Sequence, residues 1–106
     1  MDRSVIIQAL DERRVIQLAY AGGEPRTVQP HAIVRKPDGT ELLEAYQVKG
    51  HSDSGAEHGW RNFDLARIEG VELKHETFEP RRDFRPVSSE SAVVVAQVRQ
   101  DAPLNL

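Results

Sequence analysis

Two arginines bracket a phenylalanine and a leucine in the stretch Gly59-Trp60-Arg61-Asn62-Phe63-Asp64-Leu65-Ala66-Arg67-Ile68. A guanidinium is planar, permanently charged and carries a fork of N–H donors that matches phosphate or carboxylate. Alternate side chains of an extended strand share a face, so Arg61, Phe63 and Leu65 point one way. Phe63 and Leu65 suit a core, and Arg61 then stands at its rim. Arg67 and Ile68 follow where the strand ends and the chain turns. A guanidinium withdrawn from water costs free energy unless an anion answers it. The segment therefore builds either an internal ion pair, with Asp64, Glu69 or Glu72 as partner, or a site for an anionic ligand. Arg26 and Lys49 add to such a site if their strands run beside this one.

Other chemistry is thinner. Tyr20, Tyr46 and Trp60 are aromatic faces on which bases can stack. Tyr20, however, alternates with Ile16 and Leu18, which favours a core position with its hydroxyl at the rim. Trp60, beside a glycine-rich loop, suits a barrel cap or an interface. His51, Asp53, Glu57 and His58 crowd one loop, but their spacing matches no defined metal motif, and no metal is expected. His31 and His75 read as structural. There is no cysteine, no serine in a nucleophile elbow and no glycine-rich phosphate loop with its lysine. No catalytic residue and no cofactor are expected, and the chain does not read as an enzyme.

The elements that must position these side chains follow from periodicity. Val5, Ile6, Ala9 and Leu10 recur at helical spacing, predicting a helix over 3–13 with Asp2 or Ser4 as N-cap. A strand follows over 15–20, closed by the turn Ala21-Gly22-Gly23-Glu24-Pro25. Residues 26–35 are β-rich. There Val28, Ala32 and Val34 hold one parity and Thr27, Gln29, His31 and Ile33 the other, while Pro30 predicts an edge, a bulge or a break. Asp38-Gly39 is a hairpin turn leading to a third strand over 42–49. The polar, glycine-punctuated stretch 50–59 reads as a mobile surface loop, of which 51–58 is expected to be dispensable. A fourth strand over 60–65 and a fifth carrying Val71, Leu73 and His75 complete the set. Five short strands with a helix favour a closed or partly closed barrel, with Ile16, Leu18, Val28, Phe63, Leu65, Val71 and Leu73 inside.

The bulk properties fit one small domain. With 106 residues the chain can bury a modest core without disulfides. It has no signal-peptide pattern and no membrane-length apolar run, so the cytoplasm is the expected location and no membrane contact is expected. A net charge of −3 means that nucleic-acid binding needs a local basic patch.

Taken in order, these pieces resemble the WYL domain, an Sm/SH3-like barrel of bacterial transcription regulators, helicases and phage-defence proteins. The resemblance spans roughly 4–77 and rests on Val15-Ile16-Gln17-Leu18-Ala19-Tyr20, the glycine turn and Arg26-Thr27-Val28-Gln29-Pro30. Most specific is Arg61-x-Phe63-x-Leu65-x-Arg67-Ile68. At the Trp-Tyr-Leu signature this chain has Glu41-Leu42-Leu43, and only the leucine is kept. Ala45-Tyr46 fits the usual continuation. The resemblance implies a regulatory, ligand-sensing module for nucleic acid or a nucleotide-like anion, with Arg26, Arg61, Arg67 and Tyr46 carried over as ligand-binding residues. No winged helix-turn-helix accompanies the matching region, so operator binding by that route is not expected.

The expected organisation is a barrel over 1–77 and an extended tail over 78–106, with a linker at 88–91. Residues 92–98 add an edge strand to this barrel or to a neighbour's, and residues 100–106 are a poor candidate for order. The alternative function is a protein–protein or homo-oligomeric interaction module acting through that tail strand. Salt separates the two readings, because phosphate-driven binding weakens steeply with ionic strength.

Overall fold

In the computed structural model, which describes residues 3–50, 58–84 and 92–100, the first element is helix α1 (Ser4–Glu12). Ile6, Ala9 and Leu10 lie three and four residues apart or adjacent across one helical face, and all three are buried. The N-cap position falls to Arg3, not to Ser4 or to Asp2, which lies outside the described residues. The Arg3 carbonyl accepts the Ile7 N–H at 2.9 Å. Its guanidinium, joined by that of Arg35, clasps the Glu41 carboxylate, and these bonds hold Glu41 below the usual carboxylate range. The helix stops where Arg13 turns left-handed, with φ of 54°.

Six strands follow: β1 (Arg14–Tyr20), β2 (Arg26–Arg35), β3 (Glu41–Lys49), β4 (Gly59–Asp64), β5 (Ile68–Thr77) and β6 (Val93–Gln97). All pair antiparallel in the order β4-β3-β2-β1-β5, and β6 joins the second half of β2. A 3-10 turn, Leu65–Arg67, links β4 to β5, the two ends of that path. Although β2 and β3 separate β1 from β4 in the sheet, the Tyr20 ring meets Phe63 edge-on at 5.0 Å. Only a strongly curled sheet allows this. Two hydrogen bonds hold the corner: the Asp64 N–H to the Tyr20 hydroxyl at 3.1 Å, and the Ala21 N–H to the Arg67 carbonyl at 3.1 Å. The protein is thus mainly β, a curled antiparallel sheet with one helix.

Ile16, Leu18, Val28, Phe63 and Leu65 are buried inside the curl, whereas Val71 and Leu73 are half-buried. Those two ride on β5 at the end of the sheet path, where fewer neighbours cover them.

The alternation expected in β2 breaks at Pro30. The register against β3 jumps between Pro30, opposite Ala45, and Ala32, opposite Glu44, leaving His31 as the extra residue of a bulge. Every residue from Pro30 to Val34 is buried, because this half of β2 is covered on both faces. The outer cover comes from residues 78–84. Phe78 and Phe84 are buried and, with Trp60, pack around the His31 ring at centroid distances of 4.8 to 5.3 Å. Val98, just past β6, is buried and gives its N–H to the His31 carbonyl at 2.7 Å. The predicted linker at 88–91 and residues 101–106 lie outside the described residues.

Candidate anion-binding site

By strand alternation Tyr20 (β1), Arg26 (β2) and Arg61 and Phe63 (β4) occupy the concave side of the sheet. The Tyr20 ring is the platform. The Arg26 Cζ lies 5.5 Å from its centroid and 5.6 Å from that of Phe63, and the Arg67 Cζ lies 5.3 Å from Tyr20. Contacts of this kind are worth about 0.5–1 kcal/mol each at exposed sites. They occupy the flat face of a guanidinium and leave its N–H edge for an acceptor. Arg61 reaches the same side of β4, two residues from Phe63, and its Nη1 donates to the Trp60 carbonyl at 2.9 Å. A Cβ at position 59 would sit 2.9 Å from that Nη1, so the glycine there makes room for the folded-back side chain.

The carboxylates named in the sequence as partners are engaged elsewhere. Asp64 caps the 3-10 turn by accepting the Ala66 N–H at 2.9 Å. Glu69 accepts the Gly22 N–H at 3.0 Å, and Glu72 pairs with Lys74 at 3.0 Å. Among the described residues neither Arg26 nor Arg67 makes an ion pair. The Arg26 Nε is buried, with no hydrogen-bond partner among them. Two guanidinium groups around one ring, neither ion-paired among the described residues, concentrate positive charge on a chain of net charge −3.

Backbone geometry fixes where Arg26 leaves the sheet. Gly50, at φ of 122°, lies against it: a Cβ there would meet the Pro25 carbonyl oxygen at 2.9 Å and the Arg26 Cα at 3.0 Å. The Gly50 carbonyl also accepts from the buried Gln47 amide at 3.0 Å. Gly50→Ala is therefore expected to destabilise the domain by about 1–3 kcal/mol, the cost of a residue forced into sparsely populated backbone space. Denaturant melts of the two proteins measure it.

The remaining site candidates lie apart from this cluster. A bulge at Val48 sets Lys49 opposite Thr27 while Gln47 faces Val28, which turns exposed Lys49 away from the side that Arg26 and Arg61 share. Tyr46 is on the outer side. Its ring meets Trp60 edge-on at 5.6 Å and carries the Arg81 Cζ 3.6 Å above its centroid. Trp60 in turn donates its indole N–H to Asp83 at 2.9 Å. Of the crowded loop, His51, Asp53 and Glu57 lie outside the described residues. No group of three or more His, Asp or Glu gathers for a metal among the described ones.

The sequence placed Tyr20 in the core but not as the surface on which the arginines rest. Its position two residues past Leu18, just before the glycine turn, was the available signal. The outer cluster of His31, Phe78, Arg81 and Phe84 gave only two traces, the proline in β2 and two phenylalanines six residues apart in a charged segment.

The WYL domain family model matches residues 3–73. The chain belongs to the WYL domain family. No curated protein matches it in sequence. A solved structure to which it is similar is Proteasome accessory factor B/C (PafBC) of Arthrobacter aurescens, at a TM-score of 0.60 and 21% identity. The match covers 76% of this chain and 12% of that one, so this chain spans a small part of that protein's length and the likeness is one of fold. At the signature of this WYL domain, Leu43 is fully buried in the core, while Glu41 at the strand start is held by Arg3 and Arg35. The retained leucine is the residue the core needs. Among the described residues no helix is long and apolar enough to cross a membrane.

Proposed function

We propose that this WYL domain is a non-enzymatic regulatory module that senses nucleic acid or a nucleotide-like anion through Arg26 and Arg67, set about Tyr20, together with Arg61 on the same side of β4. The observation that carries this reading is the pair Arg26 and Arg67, stacked on Tyr20 while Asp64, Glu69 and Glu72 are bonded to other groups. A phosphate supplies an anion that no described carboxylate gives the pair, and a base or sugar can rest on the neighbouring aromatic surface. Lys49 and Tyr46 are peripheral in this proposal: Lys49 is turned away by the Val48 bulge and Tyr46 is engaged by Arg81.

The test is location. A nuclear magnetic resonance titration with single-stranded DNA, RNA and cyclic nucleotides is expected to move the signals of Tyr20, Arg26, Phe63 and Arg67 and to leave those of His31 and Tyr46 in place. Shifts confined to the outer face would contradict the proposal. The second reading, an interaction module, draws on β6, where Val93 is 62% exposed in an uncharged strand. It predicts concentration-dependent assembly with no response to any of these ligands.

A further inference from the structure

His31 is fully buried at the β2 bulge, and its two ring nitrogens have opposite roles. Nδ1 lies 2.8 Å from the Gln29 carbonyl oxygen, which can only accept. Nε2 lies 3.1 Å from the Arg81 main-chain nitrogen, which can only donate. The ring is therefore neutral, protonated on Nδ1, with the Nε2 lone pair holding the backbone of segment 78–84. A second proton would fall on Nε2, facing the Arg81 N–H, and would turn an acceptor into a second donor.

We propose that His31 is an acid-sensitive latch: its protonation lifts segment 78–84 off the sheet and uncovers the Tyr46–Trp60 face. The segment is the part that can move. Its anchors are the rings of Phe78 and Phe84, the Arg81 guanidinium over Tyr46, the Trp60–Asp83 bond and the Phe78 N–H on the Arg13 carbonyl. His31 itself is held in β2 between the ladder pairs Pro30–Ala45 and Ala32–Glu44, and its carbonyl takes the Val98 N–H. Hydrating an imidazolium there is cheapest by raising the cover. A cavity of about 220 Å³, lined by Glu44, Trp60, Asn62, Asp83 and Phe84, already opens beside it.

The charges around the ring set the direction. From the segment, Arg81 opposes a second positive charge and Asp83 favours it. From β3, Glu44 and Tyr46 lie on the same outer side, and from β4 comes the neutral Trp60 ring. At the helix end Arg13 pairs with Glu79 at 3.7 Å, and β6 leads to Val98 and Arg99 on the main-chain side. Burial outweighs the rest and pushes His31 below its ordinary range. Asp83, held low by the Trp60 N–H, stays ionised throughout the window in which His31 titrates. Closed segment therefore binds fewer protons than open segment. Closure is at full strength above the ordinary histidine pKa of about 6.5 and weakens by up to about tenfold per pH unit as pH falls below it.

Amide hydrogen exchange on the full chain between pH 7.5 and 5 tests the latch. Protection of the Arg81 and Phe84 amides is expected to fall up to about tenfold per pH unit below about 6.5, while the β1–β5 ladder keeps its protection. His31→Gln, which can still accept from Arg81 and donate to Gln29, should remove this dependence, and His75→Gln should preserve it. Protection of segment 78–84 that does not change with pH, or that falls in step with the β1–β5 ladder, would overturn the proposal. So would a His31→Gln protein with wild-type pH dependence, or its loss in His75→Gln. Should His31→Gln fail to fold, the wild-type comparison of the two regions decides alone.

Discussion

Phe63→Ala is expected to lower the stability of the domain by about 3–5 kcal/mol. The ring is 1% exposed, lies on the concave face of β4 and meets Tyr20 edge-on, so truncation leaves a cavity where β1 and β4 converge. It also removes one of the two rings beneath Arg26. The effect is therefore both a hollowed core and a loosened guanidinium. Denaturant unfolding measures the first. A destabilisation under 1 kcal/mol would mean that the curl of the sheet does not depend on this ring.

Much of this arrangement was legible in the sequence because single-strand periodicity carries it. Phe63 and Leu65 faced the core, the chain turned at Arg67, and Pro30 marked the bulge in β2. Periodicity fails where a bulge inserts a residue. The Val48 bulge moved Lys49 off the side predicted for it, and the Pro30 bulge carried Ile33 across to the face of Val28, opposite buried Leu43. It also says nothing about long-range cover. Phe78 and Phe84 sit in a charged, proline-bounded stretch, so their place on the outer face is settled by tertiary contact with Trp60 and His31 and not by local pattern. The choice between ion pair and ligand site for the arginines was open for the same reason. It turns on where Asp64, Glu69 and Glu72 place their hydrogen bonds, and turn capping and a neighbouring lysine claim them.

Arg67→Ala and Arg26→Ala should each weaken oligonucleotide or nucleotide binding by roughly 10- to 100-fold, the worth of one or two charge-assisted hydrogen bonds. Arg67 is exposed and pairs with no carboxylate among the described residues, so its removal strands no buried charge. Its melting temperature should stay close to wild type. Arg26 is half-buried and packs on two rings, so some loss of stability accompanies its removal through weaker packing alone. Lys at either position keeps the charge but loses the planar fork, and should bind more weakly than Arg. If both alanine variants melt far below wild type and bind as well as it does, the arginines are structural and the proposed role is wrong.

The salt dependence of binding, compared between wild type and an Arg26→Ala/Arg67→Ala double variant, tests the central claim most directly. Binding to a labelled single-stranded oligonucleotide would be measured from low to moderate salt. For single strands each neutralised phosphate contributes about −0.7 to the slope of log affinity against log salt. Wild type should show a steep negative slope, and the double variant a slope shallower by roughly 0.7 for each phosphate it no longer neutralises. Equal slopes for the two proteins, or no binding by wild type even at low salt, would contradict anion capture by these arginines.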